Sequence, residues 1–257
     1  MTRRTARVAV PVGLGAFLLA SLLACCDRPE APHCLRAAGQ DTVVQAWATE
    51  PVERLVVRDG VEVVLRAAGD SGVTAWTWTG PANVVAWAET AVDAGELRVG
   101  DGNRCRWVRD LGVRLRLEVS APGLRAVEHR GTGDFRWDIG EADGAWSFDG
   151  KGFAGRAEVI GRTDSLRLHL HNGPGFVAAS GSTGRLGAYV AGLGTLDAGE
   201  LAADRAFVNQ SSAHDLVFRA ANYAYIGLHG YGDVIARERP ADYQVERTER
   251  GQVIWPD

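Results

Sequence analysis

The chain has 257 residues, 46% of them hydrophobic, with 32 glycines and a formal net charge of −4 from 28 basic and 32 acidic side chains. This acidic balance argues against a nucleic-acid or anionic-membrane partner held by charge. The length suffices for one domain with a substantial core.

Residues 1–24 open with Arg3, Arg4 and Arg7 and continue as an apolar run to Ala24, the layout of a secretory signal. Pro11, Gly13 and Gly15 interrupt the run and no basic stop-transfer cluster follows, so cleavage is expected rather than a retained span. The stretch "LLAC" at 22–25 resembles the lipobox of bacterial lipoproteins, which makes Cys25 the expected lipidation site. It departs from that pattern at Leu23, and an ordinary signal peptide is the alternative. Residues 25–49 begin with "CCDRPEAPH", polar and Pro-rich enough to tether a domain to an acyl anchor. Without the three signal arginines, 25 basic residues face 32 acidic ones, net −7. Cys34 and Cys105 remain in the mature body, and an oxidising export compartment permits them to pair; two unrelated buried thiols are the alternative.

From residue 50 to 257 a single β-domain is expected. Two-residue alternation recurs in "VEVVLRA" (61–67), "VTAWTWTG" (73–80) and "VRLRLEV" (113–119), while helical periodicity is hard to find. Farther on, Gly-x-Gly pairs stand at Gly131 and Gly133, Gly150 and Gly152, Gly173 and Gly175, Gly192 and Gly194, and Gly230 and Gly232. "SSA" at Ser211 fills one missing slot, giving steps of 19, 23, 19, 19 and 19 between the leading residues, an internal repeat with one four-residue insertion. Four and two places before each leading residue stand mostly apolar side chains, among them Val127 and His129, Trp146 and Phe148, His169 and His171, Phe207 and Asn209, and Ile226 and Leu228. Alternation in phase with the repeat gives every unit the same inward face.

A unit of ~19 residues is one coil of a single-stranded parallel β-helix (β-solenoid), with rungs stacked ~4.8 Å apart and glycine at the sharp corner where backbones meet. An antiparallel β-sandwich is the alternative, although hairpins of variable length would not hold a fixed step. Residues 50–120 are expected to continue the stack less regularly. The charged stretch 238–252, with Pro240, would cap the open end, and Val253, Ile254 and Trp255 would close it with an apolar contact.

Over about 55–255 the chain resembles the auto-transporter adhesin head GIN domain family, a domain of unknown function. The likeness lies in "LVVRDGVEVVLRAAGD", "VRLRLEVSAPGLRAVEHRGTGDFRW", the Gly-x-Gly steps and "YIGLHGYGDVIARERP", and it lapses at "NQSSAHDLVF" and in the tryptophan content. The resemblance implies an exported right-handed parallel β-helix, often on an envelope lipoprotein, with no catalytic residue to carry over.

The chemistry on offer is sparse. "GTGD" at Gly131 and "GYGD" at Gly230 resemble calcium-binding nonapeptide repeats, but those stack every nine residues, so structural turns are expected. His169 and His171, two apart on "SLRLHLHNG", could hold one edge of a metal site; Leu166, Leu168 and Leu170 compete with them for the inside, and no third ligand is evident. Solvated histidines opposite core leucines is the preferred reading, with no metal and no cofactor. A polysaccharide lyase or hydrolase would need paired acids, and Asp134 and Asp138 near His129, or Asp233 near His214, are the candidates; corner aspartates explain them equally. Trp76, Trp78 and Trp87 could form an exposed binding platform or fill the core. The functional expectation is an envelope-anchored, non-catalytic binding, adhesion or scaffolding module for a glycan or protein ligand, touching the membrane only through its lipid.

Overall fold

The computed structural model describes residues 39–48, 50–66, 73–103 and 114–256. Cys25, Cys34 and Cys105, and with them the anchor and the expected disulfide, lie outside the described residues.

The chain builds two walls that face one another across a single core. The first wall contains β2 (Arg54–Asp59), β6 (Glu96–Asp101), β8 (Ala126–Gly131) and β10 (Ala145–Lys151). It continues through the C-terminal parts of β11 (Arg156–His171), β12 (Phe176–Gly192), β13 (Thr195–Ser212) and β14 (Leu216–Leu228), and ends at β16 (Asp242–Arg247). Every neighbouring pair in this wall is parallel. The second wall stacks β7 (Arg116–Ser120), β3 (Glu62–Arg66), β9 (Phe135–Glu141), the N-terminal parts of β11 to β14, β15 (Val234–Ala236) and β17 (Val253–Ile254), again parallel. The fold is therefore the expected parallel β-solenoid, not a sandwich. Alternating inward residues such as Leu166, Leu168 and Leu170, or Leu186, Ala188 and Val190, stack rung upon rung in the core.

The rung length lies close to the expected ~19: Ser165 pairs with Arg185 and Arg185 with Arg205, steps of 20, while Phe176 pairs with Thr195, a step of 19, and Arg205 with Tyr223, a step of 18. With that register the corner residues fall into two columns. One runs through Asp59, Gly131, Gly152, Asn172, Gly192, Ser212 and Gly230, and the other through Gly133, Gly155, Gly175, Gly194, His214, Gly232 and Gly251. Gly150 and Gly173 belong to neither. Gly150 sits within β10 opposite Leu170, and an added Cβ on Gly150 or Gly173 would strike Leu170 and Phe153, or the backbone of Gly152 and Phe153. Phe153, fully buried, is what those glycines make room for. The four-residue insertion thus disappears: it arose from aligning Gly150 and Gly173, which do not stack. Two requirements place glycine in the true columns. Gly152 (φ 67) and Gly192 (φ 73) turn left-handed, as does Asn172 (φ 52) between them, while at Gly131 a Cβ would lie 1.7 Å from the Asp59 carbonyl oxygen.

Where "SSA" interrupts the glycines, side-chain hydrogen bonds hold the corner instead. Ser212 Oγ donates to the Gly194 carbonyl at 2.7 Å and accepts from the His214 N–H, and buried Gln210 donates to the carbonyls of Ser212 and His214. The aligned slot is Ser212 rather than Ser211, and the same one-residue slip puts Phe207 and Asn209 outside, not in the core column.

Residues before 121 join the stack out of order. The β2–β3 coil lies between the β6–β7 coil and the β8–β9 coil, so chain neighbours are not spatial neighbours. Antiparallel strands finish this end: β4 (Ala75–Pro81) pairs with β7, β1 (Asp41–Trp47) with β4, and β5 (Ala88–Asp93) with β6. One short helix, α1 (Ala82–Val85), follows β4. At the other end the stretch expected to be a cap is itself a last coil. β16 and β17 extend both walls, and all six residues of β16 are exposed. Asp242, Glu246 and Arg247 make that terminal strand a poor template for a further chain. Trp255 packs on Tyr243 at 4.6 Å between ring centres, with the Arg239 guanidinium over both rings.

Candidate functional site

The outer surface of the first wall carries a cluster of ionisable and aromatic side chains. Because Leu166, Leu168 and Leu170 turn into the core, His169 and His171 turn out, as the leucine pattern required; the repeat columns, read one residue out of phase, had placed them inside. No bulge intervenes, since β10, β11 and β12 pair without a shift through this segment.

Parallel register then adds what sequence spacing did not offer. Asp149 of β10 is the Cα partner of His169, and its Oδ1 lies 3.2 Å from His169 Nδ1 and 3.9 Å from His171 Nε2. The hydrogen bond from His169 holds the Asp149 carboxyl below its ordinary range, against partial burial that acts the other way. On the next coil Tyr189 pairs with His169 and packs its ring against both imidazoles, at 6.1 and 5.0 Å between centres. Farther along, Phe207 (41% exposed), Tyr223 and Tyr225 extend a row of rings over successive coils, with the Arg185 guanidinium 5.6 Å above Phe207.

Beside the histidines lies Glu128, almost wholly covered by three cations. Lys151 Nζ donates to Oε2 at 2.8 Å, Arg54 reaches the same oxygen, and Arg130 bonds Oε1. Burial alone would raise its pKa, but the hydrogen bonds and charges of Lys151 and Arg130 outweigh burial and leave it lowered. This network ties the coils of β2, β8 and β10 together across the wall.

The residues considered for acid–base chemistry are not brought together. His129 is fully buried against Phe135 and Phe153, and its Nδ1 accepts the Gly131 N–H at 3.0 Å. Desolvation drives its pKa down to about 4, with Asp134 pulling weakly the other way. Asp134 and Asp233 each accept a backbone N–H of the following coil, from Arg156 and Gln252, while Asp138 accepts the N–H of Gly140. Asp215, beside His214, does the same for Asp233. The "GTGD" and "GYGD" aspartates are thus corner staples, as the turn reading required.

Trp76 and Trp78 are buried, and Trp78 Nε1 donates to Thr90 Oγ1 at 3.0 Å. Their edges floor a groove of about 610 Å³ between β1, β4, α1 and β5. Trp87 alone of the three is substantially exposed, at 47%.

Parallel coils in two walls with glycine corners define a parallel β-solenoid. The family described as "Putative auto-transporter adhesin, head GIN domain" matches residues 53–240, and the chain belongs to it. Among solved structures, a "putative adhesin" from Bacteroides fragilis is similar at a TM-score of 0.73 and 16% identity, covering 84% of this chain and 97% of that one. A "putative adhesin" from Parabacteroides distasonis aligns at 0.57 and 14% (85% and 98% covered), and a "Putative lipid binding protein" from the same organism at 0.53 and 15% (85% and 95% covered). At these identities the likeness concerns the fold. No curated protein matches the sequence.

Proposed function

We propose that this protein is a non-catalytic binding and adhesion module of the bacterial envelope, held to a membrane by a lipid on Cys25, whose outer first wall meets a glycan or protein ligand. The observation that carries the reading is the row of outward rings, His171, Tyr189, Phe207 and Tyr225, on successive coils of one rigid sheet. A rigid aromatic row offers large contact area at low conformational cost, and its spacing is fixed by backbone hydrogen bonds rather than by loops. Membership of an adhesin family supports the same role and an envelope or surface location.

The test is a glycan-array and polysaccharide-degradation screen of the whole protein beside a Tyr189→Ala, Phe207→Ala variant. Retention without turnover, lost in the variant, is the expected result. Release of shortened polysaccharide would replace this reading with a lyase or hydrolase. In cells, Cys25→Ser is expected to free the protein from membranes, and continued attachment would refute the lipid anchor.

A further inference from the structure

We infer that Asp149, His169 and His171 form a binding site for a divalent transition-metal ion of the zinc class on the outer first wall. The three residues come from two neighbouring parallel strands: the histidines share a face by their two-residue spacing, and the register sets Asp149 beside His169. Their potential ligand atoms all lie within 4.8 Å of one another. Around a tetrahedral ion with bonds of about 2.0–2.1 Å, ligand atoms stand roughly 3.4 Å apart. The Asp149 Oδ1 to His169 Nδ1 edge, 3.2 Å, already has that length, and the 3.9 Å edge to His171 Nε2 needs only a small rotation of a part-exposed ring.

The surroundings favour an ion rather than a simple histidine–aspartate pair. Tyr189 backs both imidazoles from the next coil, restricting their rotation before any ion arrives. Lys151, whose register partner is His171, gives its ammonium to Glu128, so its charge is already paired beside Asp149. Glu128 also engages Arg54 and Arg130. Arg167 shares the outer face two residues before His169. Two imidazoles and one carboxylate suit zinc, copper or nickel better than calcium or magnesium. Three protein ligands leave a coordination position open to water or to a donor atom from outside.

The experiment is calorimetric titration of the full chain, without a polyhistidine tag and stripped with chelator, using Zn²⁺ alone, with Co²⁺ absorption as a second reading. One ion per chain is expected, with visible Co²⁺ bands of an imidazole–carboxylate set and no thiolate charge-transfer band. His169→Gln, His171→Gln and Asp149→Asn should each weaken binding at least about tenfold while leaving the circular dichroism unchanged. His214→Gln and His229→Gln, elsewhere on the surface, should not alter it. Absence of saturable binding, or binding that persists in the His169→Gln, His171→Gln double variant, would overturn the assignment.

Discussion

The stack from β10 to β14 and the segment before residue 121 solve one packing problem in two ways. In the former, each coil lies on the next in chain order, the coils step mostly by 18 to 20 residues, and alanines such as Ala188, Ala198, Ala206 and Ala224 share the core with leucines. In the latter, the β2–β3 coil is clasped between two later coils, and antiparallel β1, β4 and β5 complete the end. A regular solenoid can grow by near-neighbour contacts alone, whereas the N-terminal end closes only when residues far apart in sequence meet. The join between them is filled by rings: Phe135, Trp137, Trp146, Phe148 and Phe153 touch one another in edge and tilted contacts.

The largest way to break this contrast is at the join itself. Gly131→Ala forces a Cβ onto the Asp59 carbonyl, where β2 meets β8, and should cost more than about 4 kcal/mol. The same change at Gly192, whose nearest atom would be Asn172 Cα at 3.4 Å, meets chiefly the left-handed backbone penalty of about 1–2 kcal/mol. Urea midpoints of the two variants measure the difference; equal midpoints would remove the distinction between join and stack.

Acid should loosen the join next. His129 has a folded pKa of about 4 against an ordinary 6.5, so the unfolded chain takes up the proton first as pH falls. Its contribution is therefore intact above pH 6.5 and is lost progressively down to about 4, a total of roughly 3 kcal/mol. Glu128, lowered in the fold, adds its own loss only when pH drops through the usual carboxylate range. The melting temperature should fall with acidification across that window, and His129→Phe should flatten the part between pH 6.5 and 4. A wild-type melting temperature constant over the window would show that His129 is not buried in neutral form.

The smallest effect is expected on the surface. Arg136 and Glu158 pair across β9 and β11 while both remain about half exposed. Glu158→Gln should change stability by under about 1 kcal/mol, and less as salt rises. A larger loss would mean that cross-rung ion pairs, not the core, fix the register there.

The repeat was legible because corner chemistry is local: a backbone touching the coil below admits little besides glycine, so Gly-x-Gly recurs where coils turn. Its phase was less legible. Asn172, Ser212 and His214 occupy corner slots without being glycine, while Gly150 makes room for the Leu170 and Phe153 side chains and Gly173 for the Gly152–Phe153 backbone. Counting glycines therefore gave 19 with a four-residue insertion, where hydrogen-bond register gives steps mostly of 18 to 20 through the central coils and no such insertion. The outward turn of His169 and His171 could be read from the three leucines between and before them. Asp149 could not, since its closeness to His169 depends on that register and on nothing near either residue in the chain.

By itself the sequence determined that this is a stacked β-structure with glycine corners, because strand alternation and close backbone approach restrict residue types within one coil. Only the tertiary structure decided which residue of one coil sits beside which of the next, how β2 and β3 come to lie between later coils, and that an aspartate faces two histidines. Those outcomes rest on interstrand hydrogen bonds and side-chain volume, which act between segments that carry no local mark of each other.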